Sequence, residues 1–133
     1  MKREIKFRGK SIDSLGIEKG KWVYGFLKIG KKFDDDDCQM HKIMYQLDDH
    51  YWADCKIDPE TVGQFTGLKD RNGVEIYEGD ILEYESREVN DENFITFKDG
   101  SFMLTKSDKT RFFPYCSEVI GNIHNNKDLL TKK

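Results

Sequence analysis

Proline, helical periodicity, long apolar runs and paired cysteines are all scarce in this chain. It has only two prolines, Pro59 and Pro114, so turns must be built mainly from other residues. No stretch repeats apolar residues at three- and four-residue spacing for ten residues or more, which argues against long amphipathic helices. No segment approaches the roughly 20 apolar residues of a membrane span. The opening "MKREIKFRGKS" has no apolar run of signal-peptide length, so the chain is expected to be cytoplasmic, with no membrane partner. Its three cysteines, Cys38, Cys55 and Cys116, are odd in number and irregularly spaced. That pattern argues against a secreted disulfide framework and for a reducing cytosol.

What the chain does have is charge and aromatic rings. Charged residues make up 35% and hydrophobic ones only 37%, a balance that alone would suit disorder. However, 13% of the residues are Phe, Tyr or Trp, and disordered chains are poor in such groups because they cannot offset ordering by burial. A chain of 133 residues fits one domain and can bury about two thirds of its unfolded surface. The net charge of −3 is unevenly spread. Met1 to Lys32 holds ten Lys/Arg against three Asp/Glu, hence +7, which leaves −10 for the rest.

The pattern along the chain is that of short strands and tight turns. "EIKFRG" alternates Ile5 and Phe7 against Lys6 and Arg8, the period of a half-buried strand. "WVYGFLKI" is rich in aromatic and β-branched residues, and its Gly25 marks a bulge or sharp coil. "HKIMYQL" sets Ile43, Tyr45 and Leu47 on one side, and "DDHYWADCKIDPE" suits a loop or short edge strand ending before Pro59. "ENFITFKDGSFMLTK" predicts a hairpin around Asp99-Gly100, a pair suited to a type I′ turn. "FFPYC" suits an edge or bend, "SEVIGNIH" a final strand, and "NKDLL" a helical turn or frayed tail.

The stretch "QFTGLKDRNGVEIYEGDILEYE" places corners at Gly67, Gly73 and Gly79 between three apolar segments. Val62 to Thr66 is expected as a strand that stops at Gly67, followed by "VEIY" and "ILEYE". The glycines are read as sites of left-handed backbone, where a Cβ would clash, and not as a phosphate cradle. Closely spaced corners of this kind bend small barrels shut. The fold class is therefore all-β.

"VGQFTGLKDRNGVEIYEGDIL" resembles the signature of the YopX family, small proteins of phages, prophages and related mobile elements. "REIKFRGKSID", "KWVYGFL" and "EVIGNIHNN…LL" match the same family in the same order. The resemblance implies coiled, bifurcated sheets with an SH3-like barrel in the C-terminal part. Within a single domain of residues 1–133, it separates N-terminal strands with a variable acidic loop (1–60) from a barrel-forming part (61–133). It implies no activity and carries over no catalytic residue.

Several constellations suggest chemistry without specifying it. Asp34 to Asp37 offer carboxylates to a hard cation but lack EF-hand spacing, and a solvated loop guarding a strand edge is the expectation. Cys38, His41, His50 and Cys55 supply zinc ligand types in an unfamiliar order, while free thiols need no metal. Cys116 is expected in the core. None of Ser11, Ser14, Ser86, Ser101, Ser107 and Ser117 lies in a nucleophile elbow. His124 beside Asn125 suits a cap better than a base. Glu78 and Asp80 sit at a glycine corner, where Asp80 is expected to accept backbone N–H bonds.

Phe7 with Arg8, Trp22 with Lys21, and Lys69 with Arg71 pair a stacking group or turn with a cation, as nucleic-acid sites do. The simpler expectation makes Phe7 and Trp22 core residues whose charged neighbours face water, with Lys69 and Arg71 exposed in a turn. No catalytic, cofactor or metal residue is assigned. The reading is a non-enzymatic β module contacting a host or phage protein, with self-association possible through strand edges. The alternative is a nucleic-acid-binding module using the basic N-terminal third, and a more remote one a metal-dependent hydrolase.

Overall fold

The computed structural model describes residues 4–12, 17–32, 35–84, 94–98, 101–104 and 117–126, without the side chains at 31–32, 35–39, 84, 98 and 104. Among the described residues there are ten strands, one 3-10 turn and no α-helix, so the all-β expectation holds. The strands are β1 (Phe7–Lys10), β2 (Trp22–Lys32), β3 (Asp35–Gln46), β4 (Trp52–Lys56), β5 (Gly63–Lys69), β6 (Glu75–Tyr77), β7 (Asp80–Tyr84), β8 (Ile95–Lys98), β9 (Ser101–Leu104) and β10 (Ser117–Asn122). Hydrogen bonding links six of them in the antiparallel order β4-β3-β2-β1-β5-β6, with β7–β10 and β8–β9 as two further pairs. The described strands form no closed barrel. The chain divides into two compact units, Met1–Gln64 and Phe65–Lys133.

In the first unit β2 changes partner halfway. Residues Trp22 to Gly25 pair with β1, and Phe26 to Lys32 pair with β3. Gly25 permits this, because a Cβ there would run into the Met44 carbonyl oxygen. Of the acidic run expected as a loop, Asp34 lies outside the described residues and Asp35 to Asp37 instead open a strand: Asp35 pairs with Lys32 and starts β3, so hairpin pairing carries the backbone on through those charges. β4 takes the expected edge position, and Leu47, placed by alternation beside Ile43 and Tyr45, falls past the end of β3 and is exposed. The core is Val23, Ile43, Cys55 and Ile57, with Phe7, Ile17, Leu27, Tyr45 and Val62 packed against it. Asp58 caps the turn Pro59–Thr61 in extended backbone, the boundary that the Asp-Pro step requires.

The alternation read in "EIKFRG" fails at both ends. Ile5 lies outside β1 and is exposed, while Arg8 is only 5% exposed. Its guanidinium stacks 4.5 Å from the centroid of the Trp22 ring, which covers it. Phe7 joins the core as expected, but Trp22 is half-buried on the opposite face, taking Arg8 and Lys10 onto its ring. The charged neighbour thus turns toward an aromatic ring and not to water.

In the second unit the glycine corners appear as read. Gly67, Gly73 and Gly79 have φ of 87°, 82° and 91°. Gly67 does not end its strand, however: β5 continues to Lys69 by inserting extra residues between the Phe65–Tyr77 and Lys69–Glu75 pairs. The buried cluster is Ile76, Leu82 and Ile95, with Phe102 and Val119 against it. Ile81 and Leu82 are both fully buried, so β7 is covered on both faces and its alternation disappears. β8 and β9 form the expected hairpin with Lys98 opposite Ser101. Asp99-Gly100, "FFPYC" and all of "NKDLL" after Asn126 lie outside the described residues. Gly79→Ala, strained by its positive φ, is expected to lower unfolding free energy by about 1–2 kcal/mol. Gly30→Ala meets open space and should change it by under about 0.5 kcal/mol in urea titrations. Equal effects at the two positions would contradict the conformational account.

Candidate functional site

The outer face of the first unit is the face opposite the core of Val23, Ile43 and Cys55. Strand pleating places alternate residues there: Tyr24, Phe26 and Lys28 from β2, Lys42 and Met44 from β3, and Trp52, Asp54 and Lys56 from β4. Cross-strand register arranges them in rows. Lys28 pairs with Lys42 and Lys42 with Lys56, so three like charges stand side by side across three strands. The next row is Phe26, Met44 and Asp54, and the row after it contains Trp52 opposite Gln46. The Phe26 and Trp52 rings meet above β3 with centroids 5.8 Å apart and planes tilted by 41°. Tyr24, Phe26 and Trp52 are 48%, 55% and 52% exposed, an apolar patch facing solvent on a regular sheet. Among the described residues Asp54 alone answers the lysine row from within the face, 3.9 Å from Lys42 Nζ.

Like charges directly opposite one another weaken a sheet. Lys56 lies on the edge strand and Lys28 on the part of β2 that has left β1, but Lys42 is flanked by strands on both sides. None of these face residues was singled out from the sequence. Lys28, Lys42 and Lys56 are far apart in the chain, and only register brings them together.

The expected sites resolve as follows. Asp70, which sequence reasoning passed over, is a heavily engaged carboxylate. Its Oδ1 accepts the N–H groups of Asn72 (2.8 Å) and Val74 (2.9 Å), and its Oδ2 accepts that of Val119 in β10 (2.9 Å). Burial by itself would raise its pKa, but the three N–H donors and nearby Arg71 outweigh burial and hold it below the usual 3.8. Arg71 is exposed as expected; it donates to Glu118 at 2.8 Å, and its backbone N–H donates to the Ser117 carbonyl. Lys69 is exposed on β5. Asp80 is buried and accepts the Tyr77 N–H at 2.7 Å, fixing the corner as read from the sequence. Asn122 accepts the N–H groups of His124 and Asn125, so His124 lies in a capped turn.

Cys55 is fully buried in the core and its Sγ donates to the Lys56 carbonyl at 3.4 Å. His50 is in the exposed loop that Asp48 closes by accepting the N–H groups of His50 and Tyr51. His41 Nδ1 is buried without a hydrogen-bond partner among the described residues. The Cys38 side chain and Cys116 lie outside the described residues, and no group of three or more metal-ligating residues gathers among those described. Ser11 is buried, its hydroxyl donating to the Glu18 carbonyl and accepting the Lys21 N–H. Ser14, Ser86 and Ser107 lie outside the described residues.

Because the native pKa of Asp70 is depressed, the unfolded chain takes up that proton first. The stabilisation is complete above about 3.8, the unfolded value, and drains away as pH falls through the lower native value. Asp70→Asn is expected to cost about 1–3 kcal/mol near neutral pH, since charge-assisted bonds from three backbone donors are weakened. In urea unfolding the gap between wild type and variant should narrow as the buffer is taken below pH 4. A gap unchanged down to pH 2 would assign the loss to something other than the ionised carboxylate.

Comparison with known proteins agrees with this architecture. The crystal structure of protein EF1440 from Enterococcus faecalis is similar, with 25% identity and a TM-score of 0.53 over 97% of this chain and 99% of that one. A comparison with curated proteins gives no match. The family model described as YopX protein matches residues 7–131, nearly the whole chain. The chain belongs to the YopX family.

Proposed function

We propose that this chain is a non-enzymatic binding module of phage or mobile-element origin, working in the bacterial cytoplasm through the outer face of its first unit. The observation that carries this reading is the exposed cluster of Tyr24, Phe26 and Trp52 beside three lysines in register. Apolar patches on regular secondary structure are where partners dock. Two of the groups weighed for chemistry are otherwise engaged: Asp80 holds a backbone N–H group, and Cys55 packs in a core. The family resemblance also suggests coiled, bifurcated sheets and an SH3-like barrel in the second unit, and β7, β10 and the β8–β9 hairpin are the strands such a barrel would use.

Composition alone favours a host or phage protein as partner, or a second copy through the β4 edge. The lysine row favours a polyanion and supports nucleic acid as the second reading. The test is capture from bacterial lysate on immobilised protein. Wild type should retain protein or nucleic acid in fixed proportion, and Phe26→Ser/Trp52→Ser should lose at least nine-tenths of it at an unchanged thermal midpoint. Equal retention by a folded double variant would remove the outer face as the interface.

A further inference from the structure

The outer face combines two features that a single class of ligand satisfies together. The first is the Lys28–Lys42–Lys56 row, answered within the face by one carboxylate among the described residues. Adjacent strands lie about 4.8 Å apart, so the three lysine stems span about 10 Å. The second is the pair of tilted, half-exposed rings, Phe26 and Trp52, with Tyr24 further along β2. Phe26 is two residues from Lys28 on the same strand face, about 7 Å along the sheet. A nucleotide spans that kind of interval between its phosphate and its base.

We propose that this face binds single-stranded nucleic acid, with phosphates on the Lys28–Lys42–Lys56 row and unpaired bases stacking on Phe26 and Trp52. This rests on the outer face being the interface. A row of cations in register calls for a ligand with closely repeated negative charge. Exposed rings on a sheet accept the faces of bases that are not paired, whereas a duplex hides those faces within its stack. Trp22, although on the same face, already takes Arg8 and Lys10 onto its ring, so the stacking positions are Phe26 and Trp52. The ligand is bound by stacking and charge, which predicts little sequence preference. The residues differ from the pairs expected from the sequence, because Arg71 is engaged by Glu118 and Arg8 is buried.

The test is fluorescence anisotropy of labelled single-stranded oligothymidylate and oligouridylate with the purified full chain across a salt series. Affinity should fall with salt, and Lys28→Gln/Lys42→Gln/Lys56→Gln should reduce the log–log slope by about 2, near 0.7 per phosphate released. Phe26→Ala and Trp52→Ala should each weaken binding about tenfold with the slope unchanged. Blunt duplex of equal length should bind more weakly than single strand. The lysine variant should also be no less thermostable than wild type, because it removes like charges in register. Three outcomes would overturn the proposal. One is no binding to either oligomer at low salt, even where lysate capture still depends on Phe26 and Trp52; the face then serves a protein or a second copy. Another is binding that heparin reproduces and that Phe26→Ala and Trp52→Ala leave untouched, which is simple polyanion attraction. The third is duplex preferred over single strand.

Discussion

The approach of β2 to β3 at Gly25 is the constraint on which the first unit depends. The Met44 carbonyl oxygen occupies the space a Cβ would need, so only glycine lets the backbones come this close. At that point β2 stops pairing with β1 and starts pairing with β3. A single strand thereby serves two neighbours while its pleat stays in phase, with Val23 and Leu27 toward the core and Tyr24, Phe26 and Lys28 away from it. If the phase slipped by one residue there, Phe26 and Lys28 would turn into the core and Leu27 would face solvent. Close packing behind the sheet and the composition of its outer face are thus consequences of the same contact.

How much of this was legible follows from how local each signal is. Gly67, Gly73 and Gly79 could be read as corners because positive φ is a property of one residue and its own Cβ. Asp80 could be placed on the corner it fixes, since its acceptor bond goes only three residues back to Tyr77. Asp70 was missed because its decisive partner, Val119, is 49 residues away and donates through its backbone, which leaves no side-chain signature. The lysine row was illegible for a related reason. Lys28, Lys42 and Lys56 each look like an ordinary solvated residue in a strand, and hairpin register alone aligns them. Alternation misled wherever both faces of a strand are covered, as at Ile81 and Leu82, or where a cation finds a ring, as at Arg8.

The two units use charge differently. In the second, ionised groups are enclosed in short-range partnerships: Asp70 accepts three N–H bonds, and Arg71 holds Glu118 at 2.8 Å. Such charges contribute to architecture, since a buried carboxylate stays ionised only with that degree of hydrogen bonding. In the first unit the lysines stand on a half-exposed sheet, where their mutual repulsion is screened by water and salt. The cost of keeping them aligned is correspondingly small, about a few tenths of a kcal/mol per pair.

A small cost still calls for a reason. Protection of a sheet edge by lysine explains Lys56 on β4, because an ammonium there discourages pairing with another strand. It extends to Lys28, beyond the point where β2 leaves β1, but it does not explain Lys42, whose strand has neighbours on both sides. Nor does it explain why the same face exposes Phe26 and Trp52, since rings beside an unpaired edge work against protection from association. Solubility would be served by lysines scattered over any surface and would not require alignment across three strands. What the combined arrangement does serve is a ligand carrying charge and planar apolar surface in alternation, so the face is better understood as a binding surface than as a solvated sheet.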